Sequence, residues 1–285
     1  MKNKINLVLA GTGDFSAKIF KSLIENENFN VVALISQPNN KLDRNKKPVL
    51  TDVARLANET NIPLYQPEKI KEIYEELKQL DFDFFITASF GQFIPNSILK
   101  LPKVLPVNVH GSLLEKYRGA APIQYALLND EKETGITLIE MVDKMDAGDI
   151  LGIAKTQIKE DDTALEIFDK LANLSIENLP NWLTNIYQGN YSRIKQDETK
   201  VTFANKINKA EAELNQEMNC QKALNIIRAF NNQPGAYIFL NNKRLKIFRA
   251  TKEKIKTPLK IEFKDGYLYL IEYQFEGKAK VKHEI

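Results

Sequence analysis

Short unbroken apolar runs, set between amphipathic stretches, constrain this chain more than any other feature. "INLVLA" (5–10), "VVALIS" (31–36) and "FDFFITAS" (82–89) lack the polar alternation of a half-wet strand. Runs of this kind belong to strands covered on both faces, as in a parallel sheet. Between them, "FSAKIFKSLIEN", "LTDVARLANETN" and "EKIKEIYEELKQL" repeat apolar residues at three and four, the period of a helix with one buried stripe. Strands alternating with helices imply right-handed crossovers and an α/β, doubly wound, mostly parallel sheet of Rossmann-like type. "VLPVNVH" and "TGITLIEMV" add two strands, and "DTALEIFDKLANLSIENLPNWLTNIYQG" reads as one long helix or a pair of helical turns, ending at Gly189.

From residue 190 the character changes. "NYSRIKQDETKVTFANKINKAEAELN" is polar and has no sustained period, which makes residues 190–209 a linker after a first domain of 1–189. Residues 210–285 then hold one helical stretch, "CQKALNIIRAF", and several alternating strands with turn signals at "NNK" and "KDG". That pattern predicts a small OB-like β-barrel. Residues 200–285 carry 17 Lys and Arg against 9 Asp and Glu, leaving about −5 for the rest of a chain whose total is +3. A basic tail domain behind a mildly acidic first domain suits a polyanionic partner.

The single cysteine, Cys220, excludes an internal disulfide and points to a reducing compartment, by default the cytoplasm. The apolar run after the N-terminus is too short to span a bilayer and lacks a cleavage pattern, so no membrane association is expected. "GTGDFS" (11–16) stands where a dinucleotide-binding glycine fingerprint would stand. However, Ser16 occupies the third glycine position and no ribose-binding acid follows the second strand, so a tight strand-to-helix turn is the better reading.

In an open α/β sheet the functional crevice lies at the C-terminal strand ends. "VNVHGS" puts Asn108 and His110 on one face of such an end, because residues two apart in a strand share a face. "EMVDKMDAGDI" brings Asp143, Asp146 and Asp149 after the next strand. Singly, a histidine at a strand end is structural more often than catalytic, and an acid in a glycine-containing loop is usually just solvated. Together, an amide donor, an imidazole and a carboxylate suit acyl transfer through stabilised oxyanion charge. No serine sits in a nucleophile elbow and no His/Cys cluster has metal-ligand spacing, so direct transfer without a metal is expected.

"NVHGSLL", with "YRGAAPIQYALLNDEKETGITL" and "MDAGDIL", resembles the folate-dependent formyltransferases. "LAGTGDF", "ISQP", "ASFGQFIP", "QDETKVTFANKI" and "IRAFNNQPGAY" extend the resemblance along nearly the whole chain. The resemblance implies formyl transfer from 10-formyltetrahydrofolate to the amino group of methionyl-initiator tRNA. An amino-sugar nucleotide is the alternative acceptor, although it has no need of a basic barrel. Asn108, His110 and Asp146 fall on the family's catalytic trio, with Asp149 behind them. Ser112, Leu113, Leu114 and Glu115 fall on the loop that contacts the folate, and Phe90, Gly91 and Gln92 lie beside its pocket. Arg44, Lys46 and Lys47 match a basic loop that enters the tRNA acceptor arm. A monomer is implied. The folate loop ends "LLE" where the family has "LLP", which brings the charge of Glu115 toward a ligand with an anionic tail.

Overall fold

In the computed structural model, which describes residues 4–40, 42–43 and 45–283, every apolar run of the first 110 residues becomes a strand with most of its apolar residues buried. The chain runs β1 (Ile5–Gly11), α1 (Asp14–Ile24), β2 (Phe29–Ile35), α2 (Asp52–Thr60) and β3 (Leu64–Tyr65). It continues through α3 (Tyr74–Gln79), β4 (Phe84–Ala88), α4 (Asn96–Leu99), β5 (Leu105–His110), β6 (Arg118–Gly119) and α5 (Pro122–Leu128). β7 (Glu133–Glu140), β8 (Ile150–Gln157) and α6 (Ala164–Tyr187) complete this part. The seven-stranded sheet has the order β3-β2-β1-β4-β5-β7-β8. Its first five strands pair in parallel, and β7 is antiparallel to β5. The order reverses between β1 and β4, so the loops that leave β1, β4 and β5 share the edge where such folds place a site.

Local chemistry explains the boundaries. The Thr51 hydroxyl caps α2 by accepting from Ala54 N at 3.1 Å, and Asn61 ends it in the left-handed conformation at φ 55°. Residues 164–187 form one helix despite Pro180, which cannot donate to the preceding turn. β8 is an element that the apolar patterning did not announce. Gly152 within it lies under the Trp182 ring, where a Cβ would stand 2.6 Å from Cε2. A cluster that includes Val8, Ile35, Phe85, Phe90 and Ile98 packs one part of this core.

The chain divides into two units, one of Met1–Arg118, Gly135–Lys155 and Asp169–Thr202, the other of Gly119–Thr134, Thr156–Phe168 and Phe203–Ile285. The second unit contains β9 (Phe203–Ala204), α7 (Cys220–Ala229), β10 (Ala236–Leu240), β11 (Lys243–Thr251), β12 (Lys260–Phe263), β13 (Gly266–Phe275) and β14 (Val281–Lys282). β10 to β14 make a curled antiparallel sheet, the OB-like architecture that the alternation predicts. Asn241 and Asn242 both take positive φ, 49° and 62°, as the two-residue β10–β11 turn demands. The buried Arg228 ties α7 to the 156–168 segment of the same unit, donating to the carbonyls of Asp162 (2.8 Å) and Lys159 (2.9 Å).

Candidate active site

β5 delivers Asn108 and His110 to the sheet edge with neighbours that fix both. Thr87 pairs with Asn108 in register across β4 and β5, and its hydroxyl donates to Asn108 Oδ1 at 2.8 Å. That contact orients the carboxamide, turning Nδ2 toward Asp146, whose Oδ1 accepts at 3.3 Å. His110 is 5% exposed. Its Nε2 lies 2.9 Å from the Tyr117 carbonyl oxygen. A carbonyl only accepts, so the hydrogen-bond network assigns the proton of the neutral ring to Nε2 and leaves Nδ1 as the nitrogen that gains and loses one. Nδ1 faces Asp146 Oδ2 at 3.6 Å, too long for a hydrogen bond but close enough for direct charge stabilisation.

The loop after β5 is held from two sides. The Thr137 hydroxyl, on the residue paired with His110 across β5 and β7, donates to the Ser112 carbonyl (2.7 Å) and accepts from Leu114 N (3.1 Å). Tyr117 N donates to Thr202 Oγ1 at 2.9 Å, which sets the carbonyl that His110 uses. Leu114 is buried with Ile139 and Ile150, Ser112 is buried, and Leu113 is half-buried. The Glu115 carboxylate accepts from Asp197 N at 2.5 Å, so its charge is engaged by the 190–202 segment.

Other expected residues are placed as follows. Phe90 packs in the core, and its carbonyl accepts from Thr12 Oγ1 (3.2 Å) and Gln37 Nε2 (3.0 Å). Gly91 takes φ 81°, which suits a residue without Cβ. Gln92 is committed to Ile70 N (2.7 Å), Pro67 O (3.1 Å) and Gln37 Oε1 (3.2 Å). Asp143 accepts from Asn96 Nδ2 at 2.6 Å, and Asp149 offers its carbonyl to Glu140 N at 3.0 Å. Lys46 and Lys47 are exposed on a turn organised by Asp43, whose carboxylate accepts from Asn45 N and Lys47 N, both at 2.8 Å. Arg44 lies outside the described residues.

Two residues near the trio, Gln196 and Arg118, lie in motifs that carry the family resemblance, but the sequence assigns neither a role. Gln196 Nε2 donates to the carbonyls of Asp146 (2.8 Å) and Gly148 (2.7 Å). Its Oε1 accepts from Arg118 Nε (2.9 Å) and Nη2 (2.8 Å). Arg118, 1% exposed, also pairs with Glu198 at 2.8 Å, and Lys144 takes the other oxygen of that carboxylate. The Arg118 guanidinium, and then Lys144, hold the Glu198 carboxyl down at about 2. Asp146 itself stands at φ 50°, a conformation that costs a non-glycine residue on the order of 1 kcal/mol and that aspartate tolerates better than most.

The formyl transferase family matches residues 3–183, and the formyl transferase C-terminal domain matches 206–284. A methionyl-tRNA formyltransferase of Mycoplasmopsis pulmonis is 47% identical over 279 residues, covering 98% of this chain and 96% of that protein. One of Lactobacillus johnsonii is 40% identical, over 97% of this chain and 92% of its own length. Among solved structures, an N-formyltransferase of Helicobacter canadensis, in complex with folinic acid and dTDP-3-aminofucose, superposes with a TM-score of 0.70 at 22% identity. That superposition covers 93% of this chain and 97% of the other.

Proposed function

The chain belongs to the formyl transferase family, and from that premise we propose that it transfers the formyl group of 10-formyltetrahydrofolate to the free amino group of methionyl-initiator tRNA. One observation carries the reading: Asn108, His110 and Asp146 converge at the sheet's C-terminal edge through contacts of 3.3 Å and 3.6 Å. The donor set fits the co-substrate. A formyl oxygen needs hydrogen-bond donors, and Asn108 Nδ2 brings two hydrogens, of which Asp146 Oδ1 accepts one. Ser112 to Glu115 and the Phe90–Gln92 turn are the residues that would hold the folate. That co-substrate supplies a one-carbon unit already activated on nitrogen.

The reaction forms one C–N bond and breaks another, while a proton leaves the attacking amine and one reaches the departing nitrogen. Asn108 Nδ2 stabilises the negative charge that grows on the carbonyl oxygen under attack, a contribution of about a hundredfold or more per donor, and His110 Nδ1 adds to it once it carries the proton taken from the amine. His110 Nδ1 is the atom through which the proton moves, since Nε2–H donates to the Tyr117 carbonyl oxygen. Asp146 faces that nitrogen and steadies its charge. Residues 1–189 form the catalytic part and 190–209 the linker. Residues 210–285, with Arg44, Lys46 and Lys47, hold the tRNA backbone. The chain acts as a monomer in the cytoplasm, where charged tRNA is made and used; no helix among the described residues is long and apolar enough to cross a membrane.

The test is an incubation with 10-formyltetrahydrofolate and charged initiator tRNA, read by mass spectrometry of the aminoacyl group. Formylmethionine is the expected product. Formylation of an amino-sugar nucleotide in a parallel reaction, with none on tRNA, would replace this reading by the sugar alternative.

A further inference from the structure

We propose that Gln196 is a positioning residue for formyl transfer, acting through Asp146, with Arg118 as its buttress. The proposal rests on the functional reading above. Both hydrogens of the Gln196 carboxamide go to the carbonyls of Asp146 and Gly148, and its oxygen takes two guanidinium hydrogens of Arg118. Every hydrogen-bonding position of the amide is thereby used, and its orientation has no alternative: a flipped amide would set two donors against a cation and an acceptor against two acceptors.

The clamp grips the backbone on both sides of Ala147, directly behind a carboxylate that must reach Asn108 and His110 together. Asp146 benefits from such a grip because its left-handed backbone (φ 50°) carries a cost that aspartate reduces but does not abolish. The rest of the turn is exposed at Val142, Asp143, Lys144 and Met145, so burial does little to hold it. Gln196 in turn is held by a side chain almost wholly out of solvent. The segment that leads toward the basic tail thus also sets the geometry of the catalytic carboxylate.

The experiment uses the full chain and four variants: Gln196→Ala, Gln196→Glu, Asp146→Asn and the double variant Gln196→Ala/Asp146→Asn. Gln196→Glu keeps size and an acceptor for Arg118 but removes both donors. Each Gln196 variant is expected to lower kcat about tenfold or more, with KM for tRNA and for 10-formyltetrahydrofolate within about twofold of the parent. Because Gln196 acts through Asp146, adding Gln196→Ala to Asp146→Asn should cost less than about threefold more. A smaller fall in kcat, a loss carried by KM, or equal losses in both backgrounds would overturn the proposal.

Hydrogen exchange of residues 141–149 reads the clamp without turnover. It should quicken in both Gln196 variants and stay unchanged in β1, β4 and β5; unaltered exchange in 141–149 would sink the idea. If the parent chain formylates no methionyl-tRNA, the functional reading fails by that result alone, and the exchange measurement still decides the clamp.

Discussion

His110 commits one ring nitrogen to the Tyr117 carbonyl and turns the other toward Asp146, a division of labour that makes a specific kinetic prediction. His110→Ala should lower kcat by about a hundredfold or more while KM for tRNA stays nearly constant, because proton transfer and oxyanion charge arise only in the transition state. Steady-state kinetics with saturating folate check it; a variant that keeps most of its turnover removes His110 from the mechanism. That Asn108 and His110 share a face was legible from strand geometry, whereas the loop alone left Asp143, Asp146 and Asp149 open and only the family resemblance singled out Asp146. Thr87 and Tyr117 were not legible, since one acts from the neighbouring strand and the other through a carbonyl that every residue owns. Cys220 is a second residue with a definite expectation. It opens α7, where a helix N-terminus favours thiolate, yet burial and the Asp265 carboxylate push its thiol up to about 11. Alkylation by iodoacetamide at pH 8 should therefore be slow in the folded chain and fast in urea, and rapid native labelling would contradict the buried placement.

The turn 141–149 and the segment 190–202 are elements with little internal hydrophobic patterning, and long-range polar contacts fix their conformations. This is why apolar periodicity found the parallel strands and the long helix but not β8, whose pattern is broken by Gly152 and Lys155, nor the ordered course of 190–202. Gln196 stands 50 residues from its acceptor on Asp146 and 78 from its donor on Arg118, separations that no local pattern encodes. The Arg118–Glu198–Lys144 link makes a pH prediction with a definite sign. The folded pKa of Glu198 is depressed from 4.5 to about 2, so the link's stabilisation is present above pH 4.5 and lost as pH falls toward 2. Urea midpoints of the parent should exceed those of Glu198→Gln at pH 7 and converge with them near pH 2. The gap should be modest because the carboxylate is exposed and screened by solvent. A constant gap across that range would remove ionisation from the explanation.

At the scale of the whole molecule, the charge imbalance between tail and first domain was visible from composition, but which charges are available to a partner was not. Within the second unit, Arg228 faces Asp130, Arg249 pairs with Glu166 and Glu272, and Lys280 pairs with Glu272. Those cations serve the fold. Lys243, Lys254 and Lys256 are exposed and carry part of the tail's surplus, and Lys46 and Lys47 are exposed in the first unit. The logarithm of a tRNA affinity that depends on phosphate contacts falls linearly with the logarithm of salt, with a slope that loses about 0.7 to 0.9 for each contact removed. Lys243→Ala/Lys254→Ala should therefore flatten the salt dependence of tRNA binding by about 1 to 2 while leaving the melting temperature near that of the parent. Arg249→Ala should do the reverse, lowering the melting temperature and scarcely changing the slope, because it breaks contacts to Glu166 and to the Asp161 carbonyl (3.2 Å) inside the unit. Filter binding at several salt concentrations, read beside thermal melts, separates the two classes. A flattened slope for Arg249→Ala, or none for the lysine pair, would overturn the assignment of phosphate contacts to these lysines.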